Sequence, residues 1–578
     1  MSDETRLFFN GIRGDGDYDV PPMTDQQLAD FIQGTSPPEN LDELRQRFRS
    51  ERETHLGVKE GVDAEKLDEA GWGLVLGAGL DPTVEEALSE LIALRQAEAG
   101  GHFRLYKSAD SPQPDESKTA WLARHGMGPG PADPEKVPYY LLLVGDPEAI
   151  PYRFQTQLDV QYSVGRIHFE TLDDYARYAR SVKMAAEGEV QLARRAAFFG
   201  PANPNDRSTH LSATHLVEAL LNELKARDAH RDWDFQAALR TEAVKDRLAA
   251  LLGGGETPAV LFTASHGMSF PLGSPRQLAH QGALLCQDWP GPEQWQQDIP
   301  ERFYLAGDHL ASDANLLGLI GFFFACFGAG TPLLDEFTRQ TGGQQRAIAP
   351  RPFLARLPQR MLALGALAVI GHVERAWGYS FIWPGAKRQT EVFRSTLSLL
   401  LNGGRVGPAI EYFNERYAEL STVLNDELEK VDFGKSPDAK LLAGLWTANN
   451  DARGYLLLGD PAVKVPVAEE GAAARERPSV EVGSVTAGSD VATTRAPVQV
   501  QTDYTPTATG ARISVKTETR EGALLASSTV TVSEDGEATL SDEQISPTTT
   551  AAVTALHRAA VQGAIAAWAA AEETDGVS

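Results

Sequence analysis

The sequence predicts an α/β protein in which helices flank a mainly parallel sheet. Five short runs are apolar almost throughout, as expected for strands covered on both faces: 72–77, 139–146, 258–265, 319–326 and 365–371. Segments with apolar residues at helical spacing separate them, such as the one carrying Val84, Leu88, Leu91 and Leu94. Strands that alternate with helices favour a parallel sheet, and such sheets place ligands and catalytic groups at the carboxyl ends of the strands.

Composition and charge exclude several classes of function. The 578 residues include 53 Lys and Arg against 80 Asp and Glu, giving a net charge of −27 that would repel nucleic acids and anionic membranes. The sequence has neither an apolar run of about 18 residues nor a secretion signal, so we expect a cytoplasmic protein. Two cysteines exclude a disulfide framework and any Cys-rich metal site. No nucleotide or zinc motif occurs, so we expect no cofactor; scattered acids could bind calcium, but no ordered calcium-loop spacing supports it.

Changes in amino-acid composition and patterning along the chain indicate five regions. We expect a polar extension with a helical run from Leu41, a small α/β subdomain, a larger α/β subdomain, a linker, and a small β-plus-helix module. Their predicted bounds are 1–65, 66–185, 186–466, 467–500 and 501–578. The Gly-, Pro- and Gln-rich segments 271–312 and 338–356 are predicted to be surface loops.

Two candidate catalytic residues stand at the ends of apolar strands. The run 258–265 leads into His266 and Gly267, and the run 319–326 ends on Cys326. An imidazole beside a thiol can take and return the proton needed in acyl transfer, and the Gly267 and Cys326 N–H groups could bind a developing oxyanion. Each residue alone is more often structural, but their order and spacing are typical of caspase-type cysteine peptidases. Cys286, in the long loop, is expected to be structural.

A series of motifs in a fixed order resembles the gingipain-like cysteine peptidases of the caspase-like clan. They are YLLLVGDPEAIPYRF (140–154), LDVQYSVGRI (158–167), SHG at His266, FACFG at Cys326, GALAVIGHVERAWGYSF (365–381) and LLLGDPAVKV (456–465). The resemblance covers roughly residues 70–466. The sequence around Cys326 lacks the Gln and the polar residue that flank the cysteine in caspases proper.

The resemblance implies two adjacent α/β subdomains of the caspase–hemoglobinase type, the second holding the catalytic pair. Cys326 would be the nucleophile, His266 the general acid for the leaving amine, and the Gly267 and Cys326 main-chain N–H groups the oxyanion hole. Glu148 is a candidate for orienting His266, and Asp146 is equally placed by sequence. Either acid could instead be a turn residue.

The same resemblance predicts specificity for basic residues. Asp159 with Tyr162 matches the place of the pocket that receives the side chain before the scissile bond, and Asp159 would pair with a guanidinium group. Trp377 would wall the pocket by stacking on that group, and Glu374 is a second candidate acid. We therefore expect cleavage after Arg, with Lys second. A solvated loop acid is the plain alternative for Asp159.

An Arg-directed peptidase in the cytoplasm must be restrained, so we expect control by a partner protein or by proteolytic processing. Arg339, Arg346 and Arg351 follow Cys326 in a predicted flexible loop and are candidate self-cleavage sites. We expect protein substrates and a place in a proteolytic cascade. Two other interpretations stay open, namely a catalytically silent caspase-like scaffold or adaptor, and a different cysteine acyl transferase or hydrolase.

Overall fold

A computed structural model describes residues 6–7, 10–19, 23–24, 57–339, 345–383, 387–432, 438–469, 471–481, 499–507, 510–518, 524–533, 538–546 and 561. The chain forms two compact units, Met1–Val485 and Thr486–Ser578. The helical run predicted from Leu41 lies outside the described residues, as does nearly all of the helical part of the predicted C-terminal module, residues 547–572.

The first unit is built on one ten-stranded sheet. Its strands follow one another across the sheet in the order Phe103–Tyr106, Trp72–Leu76, Tyr140–Val144, Ser163–Ile167, Tyr455–Gly459, Ala368–His372, Ile320–Phe324, Val260–Ala264, Arg195–Gly200 and Asp234–Leu239. The central strands are buried along their whole length, which explains why their sequences are apolar throughout. The predicted α/β fold class, with a mainly parallel sheet, is confirmed.

The two halves of this sheet run in opposite directions. Neighbouring strands are parallel except at one place, where Ala368–His372 pairs antiparallel with Tyr455–Gly459. The carboxyl ends of Tyr140–Val144 and its neighbours therefore lie at one edge of the sheet, and those of Val260–Ala264 and Ile320–Phe324 lie at the other edge. This reversal decides which predicted site residues can meet.

Helices flank the sheet as expected from their apolar spacing. Leu172–Ala186 is representative: the Thr171 side chain accepts a hydrogen bond from the Asp174 N–H, Asp173 and Asp174 lie in the first turn, and one face is buried. The helices are Leu67–Ala70, Thr83–Ala87, Ser89–Ala99, Lys118–Arg124, Tyr152–Asp159, Leu172–Ala186, Arg207–Leu211, Glu218–Lys225, Lys245–Leu251, Gln277–His280, Arg356–Ala363, Glu391–Leu401, Val406–Asp432 and Ala439–Arg453, with a π-helical turn at Ser212–Val217. No described helix is long and apolar enough to cross a membrane.

The segment 271–312 differs from the predicted surface loop. It contributes Leu284–Leu285 and Tyr304–Leu305 to a four-stranded sheet completed by Gly267–Ser269 and Gly11–Arg13. A separate apolar cluster that includes Ile12, Met268 and Trp289 forms beside this sheet. The Gly and Pro residues that suggest a loop serve turns between short buried strands, so composition alone was misleading here.

The remaining described strands form small pairs. They are Arg6–Leu7 with Met23–Thr24, Gly330–Thr331 with Phe353–Leu354, Leu334–Arg339 with Gln345–Ala347, and Ile382–Trp383 with Lys387–Arg388. The predicted loop 338–356 thus carries parts of two strand pairs, and residues 340–344 lie outside the described part. The second unit contains a four-stranded antiparallel sheet of Gln499–Thr507, Gly510–Glu518, Leu524–Ser533 and Ala538–Ile545, in sequence order.

Candidate active site

The two predicted catalytic residues follow neighbouring parallel strands. Val260–Ala264 pairs in register with Ile320–Phe324, and Ala264 lies opposite Phe324. The pairing continues as the Ser265 N–H donates to the Phe324 carbonyl at 3.2 Å. His266 and Cys326 each follow the last paired residue by two positions, so they lie side by side at one sheet edge.

The two predicted oxyanion amides converge on one carbonyl oxygen. The Gly267 N–H and the Cys326 N–H donate to the Asn10 main-chain oxygen at 2.9 Å and 3.0 Å. Gly267 has no room for a side chain, because a Cβ there would lie 1.8 Å from the Cys326 carbonyl oxygen. The close approach that the glycine permits is what brings both amides to the same point.

A buried carboxylate orients His266. The His266 Nε2 lies 2.7 Å from Asp206 Oδ2, and both side chains are fully buried. Asp206 also accepts hydrogen bonds from the Tyr18 hydroxyl at 2.6 Å and the Thr209 hydroxyl at 2.6 Å. Burial raises the pKa of Asp206, but the charge and hydrogen bond of His266, with the Thr209 and Tyr18 bonds, outweigh it and lower the pKa to about 2.

The ionised Asp206 fixes the tautomer of the imidazole. A carboxylate can only accept, so His266 Nε2 carries the proton and Nδ1 keeps its lone pair in the neutral ring. Nδ1 is buried and has no hydrogen-bond partner among the described residues. His266 therefore presents a free basic nitrogen at the sheet edge where Cys326 lies.

The Cys326 thiol is fully buried. The Ala376 N–H donates to its sulfur at 3.2 Å, and burial raises the pKa of the thiol well above its usual value. Residues 10–19, called here the amino-terminal segment, contribute to this burial, since the Asn10 carbonyl lies on the Cys326 and Gly267 amides. The cleft beside the sulfur is thus occupied by a stretch of the chain's own backbone.

A strained turn follows Cys326. Phe327 and Glu374 have φ values of 58° and 77°, a region that residues other than glycine rarely adopt. The Phe327 N–H donates to the Glu374 carbonyl at 2.5 Å and joins the two turns. Strain of this kind persists only where the surrounding structure holds the backbone in one position.

The prediction that Glu148 or Asp146 orients His266 is wrong. Both acids follow Tyr140–Val144, whose carboxyl end lies at the opposite edge of the sheet from His266. In the structure Glu148 and Asp146 lie near the guanidinium of Arg351, at 3.4 Å and 3.8 Å. The sheet reversal, which no local motif encodes, separates them from the edge that carries His266 and Cys326.

Two of the four predicted specificity residues, Trp377 and Glu374, lie next to residues that contact Cys326 or its turn, and the other two do not. Trp377 directly follows Ala376 and is buried, and its N–H donates to Asp451 Oδ1 at 2.8 Å. Glu374 pairs with Arg375 at 2.8 Å. Asp159 and Tyr162 are also buried, but none of their described contacts reaches Cys326, and the Asp159 carbonyl accepts from the Asn414 side chain. Burial raises the pKa of Asp159 well above its usual range.

None of the described contacts of the three candidate processing residues reaches the Cys326 sulfur. Arg351 pairs with acids at the opposite edge, as above, and Arg346 is exposed. Arg339 ends the strand Leu334–Arg339, and its side chain lies outside the described part. Cys286 is fully buried, its Sγ lies 3.4 Å from the Leu284 carbonyl oxygen, and burial raises the pKa of its thiol, consistent with an inert residue.

A buried ionic cluster adjoins the edge that carries His266 and Cys326. Arg375 contacts Asp335 at 2.9 Å, Glu374 at 2.8 Å and Asp19 at 2.5 Å, and all four side chains are at most 10% exposed. Desolvation raises the pKa of Glu374 to about 8. One acid of this cluster, Asp19, belongs to the amino-terminal segment.

One group of metal-ligating side chains occurs in the part of the chain that the structure describes. His280, Glu301 and His309 place ligand atoms within 4.8 Å of one another. The His309 Nδ1 accepts from the Ala306 N–H and its Nε2 bonds Glu301 at 3.1 Å, so these groups satisfy each other without an ion.

Sequence reasoning missed Asp206 and Asn10. Asp206 begins a helix whose first amides, of Ser208 and Thr209, it caps, and it follows the strand Arg195–Gly200. A capping acid after a strand parallel to the His266 strand was the available signal. Asn10 carries no signal, because its role depends on a main-chain oxygen.

No family model matches the chain, and neither does any curated protein. Among solved structures, one described as "Structure of Protease" has 13% identity and a TM-score of 0.41, covering 82% of this chain and 92% of its own. The crystal structure of the Arg-specific cysteine proteinase gingipain R has 11% identity and a TM-score of 0.38, with 84% and 92% covered. A complex of Porphyromonas gingivalis RgpB pro- and mature domains has 12% identity and a TM-score of 0.36, with 81% and 92% covered.

Proposed function

We propose that the chain is a caspase-like cysteine endopeptidase with Cys326 as nucleophile and His266 as its proton carrier. One observation carries the proposal: the Gly267 and Cys326 amides meet on a single peptide carbonyl oxygen, at the sheet edge that also holds the His266–Asp206 pair. This is the arrangement that stabilises the oxyanion formed when a thiol attacks a peptide bond.

The residues divide the reaction as follows. His266 Nδ1 takes the thiol proton as Cys326 Sγ attacks the peptide carbonyl carbon, and the two amides bind the negative oxygen. The imidazolium, held by Asp206, then protonates the leaving amine and leaves a thioester on Cys326. Water hydrolyses the thioester, and the thiol is restored. Asp206 acts here as a positioning residue.

The proposal extends to substrate specificity, cellular location and regulation. We expect cleavage after Arg in preference to Lys, on the basis of the sequence resemblance at Asp159, Tyr162, Trp377 and Glu374. The position of Trp377 directly after Ala376, which contacts both Cys326 and Asn10, supports a role beside the bound peptide. We also expect an intracellular enzyme that a partner protein or proteolytic processing controls. The covering of Cys326 by the chain's own residues supports this expectation.

Fluorogenic peptides with Arg, Lys, Asp or Asn before the scissile bond test the proposal. Wild type should hydrolyse the Arg peptide, and Cys326→Ala should not, whereas Cys286→Ala serves as the matched control and should retain turnover. Asp159→Ala should remove the preference for Arg while Cys326 remains reactive to an alkylating agent. A variant that keeps full Arg selectivity would refute the assignment of Asp159.

A silent scaffold or adaptor is the second candidate, favoured by the complete burial of Cys326. It predicts no turnover with any peptide, even under mild denaturant that exposes Cys326 to alkylation. Hydrolysis of simple esters without peptide cleavage would instead indicate a different acyl hydrolase. The intact set of His266, Gly267 and Cys326 supports the peptidase.

A further inference from the structure

The amino-terminal segment lies in the cleft in the manner of a bound peptide. The Asn10 N–H donates to the Ala376 carbonyl at 3.0 Å, while the Asn10 carbonyl accepts from Gly267 and Cys326. The residue is therefore held at both ends of its backbone. Its carbonyl oxygen occupies the position that the proposed mechanism assigns to the carbonyl oxygen of the bond to be cut.

The chain on the other side of this carbonyl is also fixed. Gly11–Arg13 forms a parallel strand with Gly267–Ser269, and Gly11 lies opposite Gly267. Ile12 is fully buried in the cluster that includes Met268. The bond from Asn10 to Gly11 thus runs directly from the oxyanion amides into an ordered strand, which is where a leaving group would lie.

Further contacts tie the segment to the catalytic parts themselves. Tyr18 donates to Asp206, the partner of His266, at 2.6 Å. Asp19 pairs with Arg375 and accepts from the Ser269 hydroxyl at 2.8 Å. These contacts hold the Asn10–Gly11 bond at the active centre for the lifetime of the fold, so that its local concentration is far above that of any free substrate.

We propose that Asn10–Gly11 is a self-cleavage site, a step that rests on the proposed peptidase function. Cys326 Sγ bonds to the Asn10 carbonyl carbon as the bond to the Gly11 nitrogen breaks, and the thiol proton passes through His266 to that nitrogen. Water then cleaves the thioester, which leaves a carboxylate on Asn10 and restores the thiol. The products are the peptide that ends at Asn10 and a chain that begins at Gly11.

The seated residue is not a basic one, and the contacts explain why this is compatible with cleavage. The Asn10 side chain donates to the Ser212 hydroxyl at 3.3 Å, in a buried setting. Placement by the strand and by Asp19 replaces the binding energy that a preferred side chain gives a free peptide. None of the described contacts of Arg346 or Arg351 provides such placement.

The release of the peptide ending at Asn10 has a direct consequence. It frees the Gly267 and Cys326 amides and the Ala376 carbonyl, all of which a new substrate would need. The strand from Gly11 onward keeps its own contacts with Gly267–Ser269. Cleavage therefore opens the half of the cleft that receives the residues before the scissile bond.

The test follows the intact mass and the N-terminal sequence of the purified full chain over time. Wild type should gain a new N-terminus at Gly11, in a first-order process whose rate does not change when the protein is diluted tenfold. Cys326→Ala, and Cys326→Ser as a second variant that keeps the side-chain size, should keep the bond. Alkylation of Cys326 should become at least tenfold faster in the cleaved wild type than in the uncleaved protein.

A second Asn-Gly bond in the chain serves as an internal control. Asn402–Gly403 follows the helix Glu391–Leu401 and Asn402 is exposed, so spontaneous chemistry at Asn-Gly sequences would act there as well. Cleavage at both bonds, or equal cleavage in the Cys326 variants, would overturn the proposal. So would a rate that rises with protein concentration.

The outcomes separate this proposal from the peptidase function. A wild type that hydrolyses added peptides while its Asn10–Gly11 bond stays intact refutes self-cleavage alone. A wild type that neither cuts itself nor hydrolyses any peptide, although Cys326 reacts with an alkylating agent in mild denaturant, refutes both.

Discussion

Replacing Asp206 with asparagine should separate positioning from nucleophilic attack. The Asp206 carboxylate accepts from His266, Tyr18 and the Thr209 hydroxyl, and it caps the helix Arg207–Leu211. Asparagine offers one oxygen and one NH₂ group, so one of the two sets of donors would face a donor instead of an acceptor. The imidazolium formed during catalysis would also lose its counter-charge.

The buried contact between Asp206 and His266 sets the expected size of the effects on stability and on kcat. Lowering the pKa of Asp206 from 3.8 to about 2 corresponds to about 2 kcal/mol of stability. Because the folded-state pKa is the lower one, this stability is present above about pH 4 and is lost as the pH falls towards 2. A hydrogen bond to a charged group contributes about 1.5–3 kcal/mol, so kcat should fall by roughly 10- to 150-fold.

The assay is steady-state hydrolysis of the preferred peptide by wild type, Asp206→Asn and Thr209→Val. Thr209→Val removes a hydrogen bond from a neutral hydroxyl to the same carboxylate and leaves His266 in place. It should therefore change kcat less than threefold while costing about 1.5–3 kcal/mol of stability. The loss in Asp206→Asn should appear in kcat and leave KM nearly constant. If Asp206→Asn keeps kcat within threefold of wild type, Asp206 does not position His266.

Three further changes have defined outcomes. Desolvation raises the pKa of Glu374 from 4.5 to about 8, so the folded chain keeps a proton that the unfolded chain loses above about pH 4.5, and stability falls as the pH rises through that range. Glu374→Gln should therefore be more stable than wild type at pH 8, by about 1–3 kcal/mol, and should unfold at a higher temperature there. At pH 4 the variant and wild type should unfold at the same temperature. Equal unfolding temperatures at pH 8 would contradict the buried cluster. Cys286→Ala should keep full activity and lose about 1 kcal/mol in denaturant unfolding, and any loss of turnover in the folded variant would show that this thiol is not inert. Asp19→Asn weakens the pair with Arg375, which retains Asp335 and Glu374, so alkylation of Cys326 should accelerate about tenfold; an unchanged rate would mean that Asp19 does not hold the segment in place.

The juxtaposition of His266 and Cys326 could be predicted because local pattern and sheet geometry agree there. Both His266 and Cys326 follow apolar runs, and the two runs form neighbouring parallel strands in register. Apolar runs of strand length report burial on both faces, and burial places them at the centre of the sheet. A residue two positions beyond each strand must then lie at the shared edge.

The orienting acid could not be predicted in the same way, because it depends on strand direction. Asp146 follows an apolar strand just as His266 does, but its half of the sheet runs the other way. Direction is set by the antiparallel pairing of Ala368–His372 with Tyr455–Gly459, two segments more than 80 residues apart. Asp206 lies at the correct edge because Arg195–Gly200 is parallel to the His266 strand.

Release of the peptide that ends at Asn10 would change the reactivity of Cys326 as well as its access. Burial is the main cause that raises the pKa of the thiol, the charge of Asp19 raises it further, and the charge of Arg375 lowers it. When that peptide leaves, water reaches the sulfur, while Asp19 stays with Arg375, Asp335 and Glu374. The loss of burial lowers the pKa of the thiol and increases its thiolate fraction at neutral pH. Opening of the cleft and activation of the proposed nucleophile are therefore one event, because the residue that fills the substrate site also helps to bury the sulfur.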